Sequence, residues 1–224
     1  MSATNRVARV AVALLLTTSC SILPHAGSGA PDLNVPAPDS FVVAFETTRG
    51  RFDVMAHTAW APNGADRFYT LVGNHYYDGA SFYRVVKDFV AQFGMAADPR
   101  VTAAWRPRAI ADEPVRHTNA RGTIAYARGG PGTRTTQLYI NLKDNARLDT
   151  LNGFGFPAFG EVVSGLSVVD SLYSGYASRP PQDSIARQGN AYLARAWPRL
   201  DYIRSARLLR AWRANATAES GGQE

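Results

Sequence analysis

Short stretches with the hydrophobic pattern of β-strands dominate the middle of the chain. They span 41–47, 51–56, 82–94, 122–127, 137–141 and 159–163. Segment 82–94 is the clearest, because apolar and polar side chains alternate there as in a half-buried strand. Residues 62–73 instead place apolar side chains at helical spacing, and a second helix is predicted to follow Ser164 as its N-cap.

These elements predict a mainly β fold. Many short strands with two helices favour a closed antiparallel barrel that the helices cap. Residues 96–121 have weak periodicity and predict a long surface excursion, whereas 191–197 and 201–212 look helical and predict a C-terminal helical extension. One face of the last segment would carry an arginine stripe. Its ordinary interpretation is a solvated surface, and the alternative is contact with anionic lipid. The stripe consists of Arg204, Arg207 and Arg210.

The composition is globular and gives no support to several classes of function. Of the 224 residues, 46% are hydrophobic and 19% are charged, and the net charge of +6 is mild for a nucleic-acid binder. The four histidines lack metal-ligand spacing. The glycine-rich loop 129–135 lacks the Gly-Lys-Ser/Thr ending of a phosphate loop. Ser81 and Ser164 have no paired histidine in their sequence context, so acyl transfer has no support either.

The first residues are typical of an export signal. Arg6 and Arg9 precede an apolar run, 11–16, that is too short to span a bilayer. Cys20 is the only cysteine, so no intramolecular disulfide can form, and its position resembles a bacterial lipoprotein cleavage site. The alternative is a chance cysteine in an ordinary cleaved leader. We expect an exported, periplasmic protein, held on a membrane surface where Cys20 is lipidated.

The same features predict how the chain is divided. Residues 1–20 would be the signal peptide, 21–39 a flexible linker rich in Pro, Gly, Ala and Ser, and 40–175 the barrel domain. Residues 176–213 would form a partly helical extension, and 214–224 a disordered tail.

Segment 82–94 also groups side chains suited to a reaction that breaks no covalent bond. Arg84, Phe89 and Gln92 supply a guanidinium, an aromatic ring and an amide, and no Ser-His pair, Cys-His pair or metal-ligand cluster lies nearby in the sequence. Such a set fits the gripping of an apolar ring and hydrogen bonding to the amide beside it. A proline and its preceding peptide bond are such a target.

Three sequence blocks carry a family resemblance. They are FYRVVKDFVAQFG at 82–94, RGTIAYA at 121–127 with TTQLYIN at 135–141, and DNARLD at 144–149 with FGEV at 159–162. In this order they resemble the cyclophilins, the cyclosporin-binding class of peptidyl-prolyl isomerases, in their exported bacterial form. The resemblance covers roughly residues 41–173 and implies a closed, eight-stranded antiparallel barrel.

The resemblance implies a role for each matching residue. Arg84 would be the catalytic arginine, Phe89 would belong to the catalytic set, and Gln92 would bind the peptide backbone. The implied proline pocket consists of Phe89, Val90, Tyr139 and Leu148. The implied neighbouring subsite consists of Ala127, Arg128 and Gln137. The family needs no metal or cofactor, and it acts on proline-containing polypeptides. We expect a monomer.

Several residues depart from the common pattern of that family, and Tyr139 and Arg147 matter most for the pocket. Tyr139 stands where many members have Phe at the pocket floor, so a hydroxyl must be accommodated. Arg147 takes the place of a Trp or Phe that often contacts cyclosporin. The expected function is acceleration of X-Pro bond rotation, which assists the folding of exported proteins. The alternative is a catalytically weak module on the same fold that binds proline-containing segments as a chaperone.

Overall fold

Residues 36–213 are described by the structure, a computed structural model. The strands are β1 (Ser40–Thr47), β2 (Gly50–His57), β3 (Arg84–Val86), β4 (Val90–Phe93), β5 (Thr123–Tyr126), β6 (Leu138–Asn141), β7 (Ala158–Ser164) and β8 (Ile203–Trp212). The helices are α1 (Pro62–Gly73), α2 (Pro99–Trp105), α3 (Leu166–Asp170) and α4 (Gln182–Ala196), with 3-10 turns at Ala146–Asp149 and Leu151–Gly153. The predicted signal peptide with Cys20, most of the predicted linker and the predicted tail lie outside the described residues. Within 36–213, no helix combines the length and the apolar character needed to cross a bilayer.

The eight strands form one antiparallel sheet in the order β3-β4-β6-β5-β7-β2-β1-β8. Its two edge strands are β3 and β8. The chain segments that lead into them meet through a single bridge between Ser81 and Tyr202, and Phe82 N donates to Asp201 O at 2.9 Å beside it. The predicted eight antiparallel strands are confirmed. Closure into a barrel stays a prediction, because the edge strands do not pair along their length.

An aromatic core fills the space between the sheet and α1. Phe45 of β1 and Phe52 of β2 are cross-strand partners, and their rings stack with centroids 4.9 Å apart. Phe68 of α1 packs on Phe159 of β7 at 5.1 Å. These four side chains are fully buried, as is Leu71 of α1. The helix predicted for residues 62–73 is confirmed by α1, and its apolar stripe faces this core as the spacing requires.

Segment 82–94, predicted as one half-buried strand, is a hairpin of β3 and β4. Asp88 in the connecting turn has a left-handed backbone (φ 55°), which Asp tolerates better than most residues. Phe89 N closes the turn by donating to Val86 O at 3.0 Å. Because of the hairpin, Arg84 lies directly opposite Gln92. Side chains opposite each other in an antiparallel pair share one face, so the turn brings the guanidinium and the amide together.

The helix predicted for 201–212 is wrong, since β8 pairs with β1. The pattern misled because β8 contains a β-bulge. Arg207 lies opposite Ala44 and Arg210 opposite Val42, so two arginines three positions apart oppose alternate residues of β1. One extra residue in a bulged strand shifts the side-chain alternation, and the result mimics a helical period. The final strand of the sheet therefore lies in the segment predicted as a helical extension.

Two further boundaries differ from the prediction. Ser164 ends β7 and does not cap α3, whose N-cap is Gly165 with φ 75°. A Cβ at Gly165 would collide with the Arg51 carbonyl oxygen, so glycine permits the close approach of β2. The surface excursion predicted for 96–121 contains α2. The helix predicted for 191–197 corresponds to the part of α4 that follows a break at Gly189, where φ is 58° and ψ is −150°.

Candidate active site

Four neighbouring strands of the sheet send alternate side chains to opposite faces. Ile124, Ile140 and Phe159 enter the aromatic core. The adjacent Ala125, Tyr139 and Ala158 instead form a second apolar cluster on the other face. Val90 of β4 and Leu148 of the first 3-10 turn complete this cluster, with Phe89, Ala127 and Phe156 packed at its margin. The strand alternation therefore builds two apolar surfaces from one sheet.

The second cluster borders a cavity of about 400 Å³. Every side chain predicted for catalysis or substrate binding lines it: Arg84, Phe89, Val90, Gln92, Ala127, Arg128, Gln137, Tyr139 and Leu148. Sequence reasoning missed other lining residues, among them Thr133, Thr135, Leu151 and Gln182. A larger cavity of about 630 Å³ adjoins it between α2 and α4, and Thr135, Gln137 and Gln182 line both cavities. The residues are thus gathered at one site, and their individual roles stay predictions.

The guanidinium of Arg84 stands at the rim of this cavity, held on three sides. Nη1 donates to Gln92 Oε1 at 3.2 Å, and Nε donates to Ser178 Oγ at 2.9 Å. Its Cζ lies 5.4 Å from the centroid of the Phe89 ring, within the range of a cation–π contact. Burial lowers the pKa of Arg84, although a guanidinium remains charged in any protein environment.

A chain of polar side chains supports Gln92 from behind. Its Nε2 donates to Gln137 Oε1 at 3.3 Å, and the buried Tyr83 hydroxyl donates to the same oxygen at 2.7 Å. Burial raises the pKa of Tyr83, so this hydroxyl stays protonated as a donor. Gln92 therefore presents Oε1 to Arg84 and retains one amide hydrogen for a further acceptor.

Tyr139 places its ring in the cavity wall and its hydroxyl behind the wall. The hydroxyl donates to Asn119 Oδ1 at 2.8 Å, and Asn119 is buried outside the cavity lining. Asn119 in turn donates to Asp149 Oδ1 through N at 2.8 Å and Nδ2 at 2.7 Å. Burial raises the pKa of the Tyr139 phenol, which stays protonated. The Tyr139 hydroxyl therefore has a hydrogen-bond partner outside the cavity and does not fill it.

Arg128 lines the cavity, but its guanidinium is already engaged in contacts within the protein. Nη1 forms an ion pair with Asp112 Oδ1 at 2.7 Å, and Nη2 donates to the carbonyl oxygens of Phe154 and Gly155. Its Cζ also lies 4.1 Å from the Phe154 ring. Burial lowers the pKa of Arg128, opposed by the charge of Asp112. The guanidinium therefore fastens the 154–155 loop, and only the remaining surface of the residue is available at the predicted subsite.

Phe89 lies between two cationic side chains. Arg147 Cζ is 5.0 Å from its ring centroid, which adds to the contact with Arg84. Phe156 meets the Tyr139 ring edge to face at 6.1 Å and closes the apolar wall on the opposite side. Among residues 36–213, no group of three His, Cys, Asp or Glu side chains could hold a metal ion. The site thus consists of an apolar socket with one cationic rim.

Solved structures of similar fold include cyclophilins. A cyclophilin type peptidyl-prolyl cis-trans isomerase of Cryptosporidium parvum superposes with a TM-score of 0.58 at 18% identity, over 76% of this chain and 98% of that chain. The same Cryptosporidium isomerase in the presence of the dipeptide Ala-Pro gives 0.56 at 19% identity, over 75% and 99%. At these identities the likeness establishes the fold alone.

Relatives found by sequence are more similar to this chain than these solved structures are. Peptidyl-prolyl cis-trans isomerase cyp18 of Streptomyces antibioticus is 36% identical over 137 residues, which are 58% of this chain and 81% of that protein. Peptidyl-prolyl cis-trans isomerase B of Escherichia coli K12 is 31% identical over 137 residues, 58% and 83% respectively. Residues 42–189 match the family described as "Cyclophilin type peptidyl-prolyl cis-trans isomerase/CLD". The chain belongs to the cyclophilin family, which confirms the resemblance at family level.

Proposed function

We propose that this chain is a peptidyl-prolyl cis-trans isomerase that seats a proline ring in the 400 Å³ cavity. Val90, Tyr139 and Leu148 are almost fully buried yet still border open space, so an uncharged ring can enter without displacing protein. The polar groups converge at one rim, where the peptide bond before the proline would lie. Apolar walls with a few placed polar groups are typical of ligand sites.

In this reaction Arg84 would stabilise the twisted amide of the transition state. Rotation about a peptide bond meets a barrier of about 18–20 kcal/mol, because the nitrogen shares its lone pair with the carbonyl. In the twisted transition state the proline nitrogen becomes pyramidal and its lone pair can accept a hydrogen bond. A donor aimed at that nitrogen stabilises the twisted form more than either planar isomer, and only such a difference accelerates the step.

The remaining site residues hold the substrate while one side of the bond turns. The spare amide hydrogen of Gln92 can bind a backbone carbonyl of the substrate, and the socket grips the ring. Because Gln92 and Ser178 already fix Arg84 in the free protein, little rearrangement is required on binding. Ala127 and Gln137 would contact the residues before the proline, and the adjoining cavity provides space for them.

One observation supports this function above the others. The Arg84 guanidinium forms no ion pair with a carboxylate among the described residues, although it borders an apolar cavity. A structural arginine in such a place would ordinarily be paired, since an unpaired charge beside apolar surface is costly. Its positive charge is available to a ligand in the cavity.

The setting we propose is the periplasm, where the protein acts as a monomer on proline-containing segments of exported proteins. The basic and apolar character of the first residues supports export, and the position of Cys20 supports a lipid anchor. Mass spectrometry of the mature N-terminus tests this part. A diacylated Cys20 at the first position is expected, whereas an unmodified N-terminus at another residue would refute the anchor.

The activity itself is tested by exchange kinetics. The full chain is added to an Ala-Pro peptide, and cis–trans exchange is followed by NMR at several peptide concentrations. Faster exchange together with saturable binding is expected. Binding without faster exchange would select the alternative, a proline-binding chaperone module on the same scaffold, and neither binding nor exchange would refute both.

A further inference from the structure

Residues 171–181 join α3 to α4, touch the free edge of β3 at one point and reach the cavity rim. Ala177 forms an isolated antiparallel bridge with Val85. Ala177 also has a left-handed backbone, with φ 49°, which is uncommon for a residue with a side chain. Its N–H donates to Ser174 O at 2.9 Å and closes a tight turn. The chain reverses at this point, and the next residue, Ser178, meets Arg84.

Packing on both sides holds the segment in place. Inside the turn, the Tyr176 ring packs edge to face on Trp197 with centroids 5.0 Å apart. Behind it, Pro180 is buried and leads into α4. The buried Ile185 of α4 shares a small apolar cluster with Tyr83, the neighbour of Arg84 in sequence. The position of Ser178 is therefore set by packing that includes the chain beside Arg84.

We propose that Ser178 is a positioning residue that orients Arg84 for the isomerase reaction. Its Oγ accepts from Nε at 2.9 Å, while Gln92 Oε1 accepts from Nη1 at 3.2 Å. A guanidinium carries five N–H donors in a fixed plane, so two bonds at different nitrogens fix both its position and its tilt. Among residues 36–213, neither bond involves Nη2, which is left to face a substrate.

A neutral acceptor suits this role better than a carboxylate. An Asp or Glu at residue 178 would pair with the guanidinium and neutralise the charge that the twisted amide needs. The serine hydroxyl holds the same nitrogen and leaves the charge in place. The competing interpretation is that Ser178 is an exposed serine whose contact with Arg84 contributes nothing to the reaction, and the two interpretations predict different kinetics.

This inference rests on the proposed isomerase function, and its test compares variants of the full chain by NMR exchange kinetics on an Ala-Pro peptide. Ser178→Ala is expected to lower kcat about three- to tenfold, the size of one solvent-exposed hydrogen bond, with KM unchanged within about twofold. Ser178→Thr keeps the hydroxyl and should retain near wild-type kcat. Ser184→Ala, which removes a serine hydroxyl from the start of α4 outside both cavities, is the matched control and should change neither constant.

A second background tests whether Ser178 acts through Arg84. Arg84→Lys keeps a charge but lacks the Nε donor, so adding Ser178→Ala to it should change kcat less than about twofold. An equal loss in both backgrounds would show that Ser178 acts by another route and would overturn the proposal. So would a Ser178→Ala protein with full kcat. If the wild-type chain shows no isomerase activity, the proposed function fails first, and the two failures are therefore distinguishable.

Discussion

The two faces of the sheet are built from the same strands and are buried to nearly the same degree, yet one packs into the core and the other borders a cavity. On β4, Phe93 enters the aromatic core, where its ring lies 5.1 Å from Phe82 and 5.7 Å from Tyr77. Val90, on the same strand, faces the cavity with an exposed fraction of only 2%. One face is filled by protein, whereas the other retains a cavity of about 400 Å³.

The difference shows that burial alone does not distinguish a core from a binding site. Protein interiors pack about as densely as organic crystals, so an open volume beside buried apolar side chains is the informative feature. The polar rim is the second feature, because Arg84 and Gln92 project at the margin of the cavity. Substitutions on the core face should therefore reduce stability, and substitutions at the cavity should reduce activity.

The largest effect is expected from Phe93→Ala. Removing a fully buried ring from the aromatic core should lower the free energy of unfolding by about 3–5 kcal/mol. Urea denaturation measures this. Val90→Ala on the same strand removes apolar atoms beside space that is already open, so it should cost only about 1.5 kcal/mol. Equal losses for the two variants would contradict the distinction between the faces.

The next largest effect is the loss of activity in Arg84→Ala. A hydrogen bond to a charged group contributes about 1.5–3 kcal/mol, so the isomerisation rate should fall about ten- to two-hundredfold. The thermal midpoint should hardly change, since burial lowers the pKa of Arg84 and the fold therefore gains nothing from its charge. Arg204→Ala, at an exposed position of β8, is the control and should keep full activity. Full activity in a folded Arg84→Ala protein would remove Arg84 from the mechanism.

The site residues could be predicted from the sequence because the residue patterns that mark them are local. Arg84, Phe89 and Gln92 lie within a single hairpin, and the strand alternation that places Tyr139 on the cavity face is visible in the sequence itself. The three family blocks also follow one another along the chain in the order that the family resemblance implies. The same local patterns predicted which segments form most of the strands, and their bounds to within about one residue.

The parts that could not be predicted depend on contacts between distant segments. Ser178 is 94 residues from Arg84, and no local pattern marks either Ser178 or Gln182 as part of a site. The bulge in β8 gave an arginine spacing that fits a helix as well as a strand. Arg128 lines the cavity, but its ion pair with Asp112 depends on the fold of residues 96–121, which have weak periodicity.

A smaller effect concerns acid stability. Burial acts to raise the pKa of Asp149, but the hydrogen bonds from Thr118 and Asn119 outweigh it and lower the pKa overall. A lowered pKa means that the contribution of Asp149 is fully present above the unfolded value of about 3.9 and is lost as the pH falls through the folded value. Asp149→Asn should therefore cost about 1–2 kcal/mol at pH 7, after allowance for solvent screening, and less below pH 4.

Denaturation of the wild type and Asp149→Asn between pH 3 and 7 provides the measurement. Asp88→Asn is a suitable control, because Asp88 is exposed in the hairpin turn and Asn tolerates the same left-handed backbone. Stability curves that stay parallel for wild type and Asp149→Asn down to pH 3 would show that the charge of this carboxylate does not stabilise the fold.

The smallest effect separates the hydroxyl of Tyr139 from its ring. Tyr139→Phe removes the bond to Asn119, but Asn119 Oδ1 still accepts from Asn141 Nδ2 at 3.1 Å, so no buried acceptor is left unsatisfied. The expected cost is about 0.5–1.5 kcal/mol of stability. Activity on an Ala-Pro peptide should stay within about twofold, because the ring alone borders the cavity. Tyr202→Phe, at an exposed ring, is the control for both measurements. A large gain in peptide affinity for Tyr139→Phe would mean that the hydroxyl reaches into the socket. Tyr139 would then contribute a polar group to the cavity as well as an apolar ring.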